Sequence, residues 1–243
     1  MKKIIFLFLV LAILISGCSG TTEDSYVKPK ADLEEPSVNE VDLPSGETGD
    51  YDDSNLEGPE LSSEIKELLD KIDKVDSLEY SYSVFVKGEP GYYSHVYVKD
   101  NRMKQEIDLG SGTFKEKEYY DTVYFDLAKK TADAYCEEKD CDDRNMIIDV
   151  NYNDFYVESP FDVAENLKVG KLIGNAMHEN KEVDIVEYGI DGKTVRVYIW
   201  VYRGLPLKYE VREDDELIKK VEFKSPVIND VDDEELIHQQ LKN

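Results

Sequence analysis

Three histidines, three cysteines and one tryptophan in 243 residues leave few side chains for metal or nucleophilic chemistry. The histidines (His95, His178, His238) are scattered, with none at ligand spacing from another. No Gly-rich phosphate loop, Gly-x-Ser-x-Gly elbow or His-Glu-x-x-His pattern occurs, so nothing in the sequence carries an enzymatic reading. There is no Asn-x-Ser/Thr sequon. Positive charge is also scarce: 54 acids face 29 Lys and Arg, a formal charge of −25. Such a field repels phosphate backbones and anionic headgroups, which excludes nucleic acid as a natural partner. No apolar run reaches the ~20 residues that a membrane-spanning helix needs.

The longest apolar run is Ile4–Ile15, preceded by Lys2 and Lys3 and followed by Ser16, Gly17 and Cys18. A positive start, a short apolar core and small residues before a cut describe an export signal over residues 1–18. Its ending resembles a prokaryotic lipobox, which implies a lipidated Cys18 and anchoring at the outer face of the cell membrane or envelope. An ordinary signal with a chance cysteine is the alternative. Stable anchoring takes more than one acyl chain, which a diacylglyceryl-type modification supplies.

Residues 19–60 hold thirteen acids, two lysines and four prolines, without apolar periodicity. That composition cannot offset chain entropy by burial and reads as a disordered, self-repelling tether. Cys136 and Cys141 form a close pair in "CEEKDC". In an exported chain such a pair points to a disulfide, with two free thiols or a metal site left open. Further metal ligands are not in evidence, and no cofactor is expected.

From residue 61 to 243 the chain reads as one domain. Ile65, Leu68, Leu69, Ile72 and Val75 recur at helical spacing, with Ser62 or Ser63 as N-cap. The period then changes to 2: Leu78, Tyr80, Tyr82, Val84 and Val86 alternate with Glu79, Ser81, Ser83 and Lys87. Similar segments recur to the end, interrupted by a short helix that Ser159 caps and Pro160 begins, and closed by an acidic helix over 232–241. About nine short strands with hairpin connections describe an antiparallel meander. The expected class is α+β: a curved meander, or incomplete β-barrel, closed by an N-terminal helix and one or two short helices.

"TVRVYIWVYRGLPLKYEV" (194–211) alternates with both rows apolar. With Arg203–Gly204 as a two-residue turn, Tyr202, Trp200 and Tyr198 pair with Leu205, Leu207 and Tyr209, and the aromatic row faces inward. The Asp191–Gly192 turn agrees in part, setting Ile185 beside Tyr198 and Val183 beside Trp200. A turn of odd length at Arg203 would reverse the answer, because one residue flips parity. The connection at 213–216 needs an odd loop to keep Leu217, Val221 and Phe223 inside.

The candidate cavity on this reading is lined by Ile65, Leu69, Ile72, Tyr80, Tyr82, Val84, Tyr198, Trp200, Tyr202, Leu207 and Tyr209. Fifteen of seventeen tyrosines lie between residues 80 and 209. A tyrosine-rich wall needs partners for its hydroxyls and suits a partly wet cavity. A core filled completely by the helix is the alternative.

The helix leading into long strands, "VYIWVYRGLPLKYEV" and "KKVEFKSPVIND" together resemble the LolA/LolB-like lipoprotein-carrier (outer-membrane lipoprotein-sorting) group over roughly residues 61–240. The resemblance implies an incomplete antiparallel barrel, its open side closed by helices, that binds a lipid or lipoprotein acyl chain. No functional residue carries over individually. The anchor, the acidic spacer and the cysteine pair are departures, and relatives include sensory domains. Two functions follow: an anchored carrier of apolar ligands, or a surface interaction or sensory domain with a filled core and a protein partner the sequence does not identify. Replacing Cys18 by Ala moves the chain from the detergent-rich to the aqueous phase in Triton X-114 partition. Unchanged partitioning and mass exclude the lipid anchor.

Overall fold

The computed structural model of the chain describes residues 55–89, 91–107, 113–115, 118–137 and 145–238. The export signal, Cys18, Cys141 and the tether up to residue 54 lie outside the described residues. Residues 55–60, which composition assigns to the tether, belong instead to the domain. Strand β1 (Leu56–Glu57) pairs with β11 (Lys181–Ile190), and Glu60 bridges to Val169. Backbone pairing needs no apolar side chain, so composition gives no warning of it.

Helix α1 (Ser63–Leu69) follows, capped by Ser62, whose Oγ accepts from Ile65 N at 3.3 Å, and runs on into a 3-10 stretch, Asp70–Lys74. Next come β2 (Ser77–Val86), β3 (Tyr92–Lys99), β4 (Arg102–Ile107), β5 (Thr113–Lys115), β6 (Glu118–Tyr120), β7 (Thr122–Asp126), β8 (Thr131–Tyr135) and β9 (Ile148–Val150). Two short helices, α2 (Tyr152–Phe155) and α3 (Pro160–Asn166), separate these from β10 (Lys171–His178), β11, β12 (Lys193–Trp200), β13 (Leu205–Glu213) and β14 (Glu216–Ile228). Ser159 and Asp162 close a capping box at the start of α3, with Pro160 in its first turn, as the sequence predicts.

Twelve strands form one antiparallel sheet in the order β1-β11-β12-β13-β14-β2-β3-β4-β7-β8-β9, with β10 also on β11; β5 and β6 pair separately. The sheet is open, and the architecture is mostly β with few short helices. The acidic segment 232–238 is not the expected helix but a series of turns. Its apolar side chains are taken up one at a time: Val231 and Leu236 are buried, and Lys99 Nζ donates to Val231 O and pairs with Asp233. Those contacts outweigh the helical tendency that four acids in a first turn would otherwise support.

The register decides which face is inner. In the β11–β12 hairpin, Asp191 and Gly192 both have positive φ and make the expected two-residue turn, with Val183 opposite Trp200 and Ile185 opposite Tyr198. In the β12–β13 hairpin the loop is four residues, 201–204, with Trp200 opposite Leu205. That even loop alone would keep the parity of a two-residue turn. A bulge at Leu207 then reverses it: Tyr198 faces Lys208 and Val197 faces Tyr209. The expectation that Tyr198, Trp200 and Tyr202 face inward is therefore corrected.

A bulge acts in the β13–β14 hairpin too. The turn at Asp214–Asp215 is even, and a register shift at Arg212 keeps Val221 and Phe223 fully buried. One continuous inner row results: Val186, Val197, Tyr209, Val221, Val84 and Tyr92 lie opposite one another across six strands. Two parallel rows cross the other half: Leu78–Val98–Met103–Phe125–Ala132–Val150 and Tyr80–Val96–Gln105–Val123–Ala134–Ile148. All twelve of those side chains are buried. Burying each of the larger apolar ones contributes ~1.5–3 kcal/mol.

Helix α1 is fixed over the β12–β13 turn. Lys71 Nζ donates to Val201 O at 2.7 Å, and Ile65 and Leu68 enter the core. Gly204, at φ +67°, lies so close that a Cβ there would stand 2.2 Å from Leu68 O. Gly204→Ala combines a left-handed backbone with that clash. It is expected to destabilise the domain by about 2–4 kcal/mol in urea unfolding; a change under ~1 kcal/mol would show that α1 is not seated on this turn.

Candidate ligand-binding face

Of the side chains the sequence nominates for a cavity, Ile65, Tyr80, Tyr82, Leu207 and Tyr209 come together in the buried inner cluster. Leu69, Ile72 and Val84 pack against it, partly buried. Tyr198 and Trp200 also pack against it, partly buried, but alternate along β12 with the fully buried Val197 and Ile199; Tyr202, in the loop, is 71% exposed. The bulge at Leu207 sets Tyr198 opposite Lys208.

The outer aromatic row does not meet bare water. Lys208 Nζ stands 3.6 Å above the Tyr198 ring, Lys181 Nζ 5.4 Å from the Trp200 ring, and the Arg203 guanidinium 4.8 Å from the Tyr202 ring. Long cations cover aromatic faces with their stems while keeping their charge near water. Lys208 is paired in turn: Glu210 takes it at 3.0 Å and Arg212 at 3.3 Å along β13, and Glu222 likewise takes Lys220 and Lys224 along β14. Burial works against the Glu210 and Glu222 carboxylates, but these cations hold both below the usual carboxylate range.

The inner face is apolar except at its middle, which sequence reasoning missed. Gln105, fully buried, stands in the inner row of β4 between Met103 and Ile107. Its Nε2 donates to Tyr92 Oη at 2.5 Å and Ser94 Oγ at 3.2 Å. Its Oε1 has no hydrogen-bond partner, and neither has the hydroxyl of fully buried Tyr80. The signal was present: "RMKQEI" sets a Gln where period 2 calls for an apolar residue.

Over this region lie α2, α3 and the segment between them. Tyr156 Oη donates to Asp162 Oδ2 at 2.7 Å, as does Ser159 N, and the Ser159 hydroxyl also reaches that oxygen. Tyr152 stacks on Tyr156, and both rings meet Phe125 edge-on. Burial, reinforced by Asp162, raises the Tyr80 and Tyr156 hydroxyls well above the usual phenol value, and Tyr152 is pushed up to about 12. Burial likewise raises Tyr92. These hydroxyls are neutral hydrogen-bonding groups throughout the physiological range. The Glu158 carboxyl is raised by burial despite Lys219 and Tyr209 nearby.

A separate cleft of about 1100 Å³ lies away from this face, with Lys99, Lys104, Tyr124, Glu137, Asp233 and His238 among its lining. His238 stacks on Tyr135 with centroids 3.7 Å apart. Cys136 is buried, its sulfur 3.8 Å from Asp121 Oδ2; its expected partner Cys141 lies outside the described residues. No three potential metal ligands converge among the described residues. No helix among them is long and apolar enough to cross a membrane.

No family model matches the chain, and no curated protein matches it. Among solved structures it is similar to Pseudomonas aeruginosa MucB in complex with MucA, at 12% identity and TM-score 0.46, over 73% of this chain and 62% of that one. It is similar to Mycobacterium tuberculosis lipoprotein LppX at 12% identity and TM-score 0.41, over 70% and 96%. It is also similar to a LolA superfamily protein from Nitrosomonas europaea at 9% identity and TM-score 0.32, over 72% and 98%. The LolA/LolB-like resemblance of the sequence thus has a counterpart among structural neighbours. At such identities, and with TM-scores below 0.5, no functional conclusion is drawn from it.

Because its folded carboxyl titrates above the ordinary value of 4.5, Glu158 favours the folded state least when ionised. Its cost develops as pH rises through 4.5 towards the folded value. The stability of Glu158→Gln relative to wild type therefore rises between about pH 4 and about pH 7, read from urea melts at each pH. A pH-independent difference would place this carboxylate in water.

Proposed function

We propose that this protein is an exported lipoprotein, anchored at the outer face of the membrane through Cys18, that holds a lipid or another apolar ligand between its short helices and the inner face of its sheet. The residues before the domain serve as an acidic spacer that keeps the binding body clear of a repelling anionic surface. The Cys136–Cys141 pair is a disulfide and takes no part in binding. The action is reversible capture, without a chemical step and without a cofactor.

One observation carries this reading: a broad, buried apolar face interrupted at its centre by two polar atoms without partners, Tyr80 Oη and Gln105 Oε1. A core that served packing alone has no use for them, since an unpartnered buried polar group costs about 1–3 kcal/mol. Area is not limiting, because apolar surface removed from water gains ~25 cal/mol per Å².

A second reading, a surface interaction or sensory domain, is favoured by the near-complete burial of the inner rows, which leaves the face covered before any guest arrives. Native mass spectrometry of the gently purified full chain separates the two. A noncovalent lipid-sized adduct, lost on denaturation and additional to the covalent anchor, is the expected result. The anchored chain alone, even after incubation with lipid extract, would leave the filled-core reading.

A further inference from the structure

The inner face also specifies what the ligand carries at its polar end. Tyr80 and Gln105 occupy one cross-strand row, with Val96 between them on β3. All three are 0% exposed. Two strand spacings, roughly 9–10 Å, separate their backbones. Val96, the shorter side chain between them, is as fully buried as they are. The Tyr80 hydroxyl can donate or accept, whereas Gln105 Oε1 only accepts. Gln105 Nε2 donates to Tyr92 and Ser94, whose hydroxyls would equally serve the amide oxygen. A guest group that both donates and accepts therefore satisfies Gln105 in either amide orientation, and Tyr80 as well.

Charge narrows the choice. No lysine or arginine is among the buried side chains of the described residues. The ionisable groups that act on Tyr80 are Asp162, Tyr82 and Glu158, and all raise its hydroxyl, as a negative surrounding does. A carboxylate or phosphate placed here would meet negative charge, with no cation acting on Tyr80 and the nearby Lys219 already beside Glu158. A plain hydrocarbon would leave both polar atoms unpartnered.

Building on the ligand-binding reading above, we infer that the preferred ligand is an uncharged amphiphile, an acyl chain ending in an amide or hydroxyl group, and that Tyr80 and Gln105 select that group at the centre of the inner face. The site discriminates against fatty-acid anions by charge and against alkanes by the two unsatisfied atoms. A site built to hydrogen-bond a polar group rejects the analogue lacking it, because its own buried groups are then left without partners.

The test uses the full chain in detergent, equilibrated with an equimolar mixture of hexadecanamide, hexadecanol, hexadecanoate and hexadecane. The protein is captured and its ligands are extracted and quantified by gas chromatography. Amide and alcohol are expected at about tenfold or more over carboxylate and alkane. Tyr80→Phe and Gln105→Leu each bring the amide-to-alkane ratio towards one while alkane retention stays at least as high. Without ligand, Tyr80→Phe melts above wild type, since it removes a buried hydroxyl that has no partner.

Retention of all four compounds alike, or of the same preference in both variants, overturns the inference and leaves the binding reading standing. So does a lower melting temperature for ligand-free Tyr80→Phe, which would show that the hydroxyl is already satisfied, by an ordered water for example. Retention of none of the four by wild type removes the binding reading itself.

Discussion

The structure depends on the seam between its last strand and its first long one. Val221 opposite Val84 and Phe223 opposite Tyr82 join β14 to β2 in one register from Lys219 to Lys224, beyond which it shifts. Without that pairing the molecule would be two separate meanders, each with an unprotected edge. With it, the inner row that begins at Val186 continues to Tyr92 across the join. The aromatic contacts reinforce it: Phe223 meets Tyr80 edge-on at 5.5 Å and Tyr82 at 6.0 Å. Asn229 ties off the end of the seam, accepting from the backbone of Asp76 and Ser77 and donating to Lys74 O.

A sheet with apolar residues on both faces must protect the second one. Here the protection is ionic and local. Lys, Glu and Arg alternate along single strands, so Glu210 and Glu222 each hold two cations, while Lys208, Lys181 and Arg203 lie over Tyr198, Trp200 and Tyr202. Single exposed ion pairs contribute little to stability. Their value in this fold is coverage: they keep a large aromatic surface soluble in a chain of strongly negative charge.

The inner face is organised on the opposite principle. Its polar groups are tied to one another in two clusters, Gln105 with Tyr92 and Ser94, and Tyr156 and Ser159 with the Asp162 carboxyl. The two unsatisfied atoms, Gln105 Oε1 and Tyr80 Oη, take part in neither set of bonds. The helices above are short, and α1 is held at its end by Lys71 and the Gly204 turn.

Period-2 runs, turn dipeptides and caps were legible because they depend on neighbours in the chain. The inner alternation of Leu78, Tyr80 and Tyr82, the Asp191–Gly192 turn, the Ser62 cap and the Ser159–Pro160 helix start all follow from local sterics and hydrogen bonding. The position of Gln105 was equally legible, although its meaning was not. The face of Tyr198 and Trp200 was decided only in three dimensions. A bulge costs a strand one residue and reverses every side chain beyond it, and nothing in "RGLPLK" marks Leu207 as that residue. The pairing of Leu56–Glu57 and the untwisted course of 232–238 were also tertiary outcomes, set by backbone edges and distant lysines. Sequence thus determined the long strands and the starts of α1 and α3, because those choices are local. The tertiary structure decided which face is inside, because parity across a bulged hairpin is settled by packing on both sides of the sheet at once.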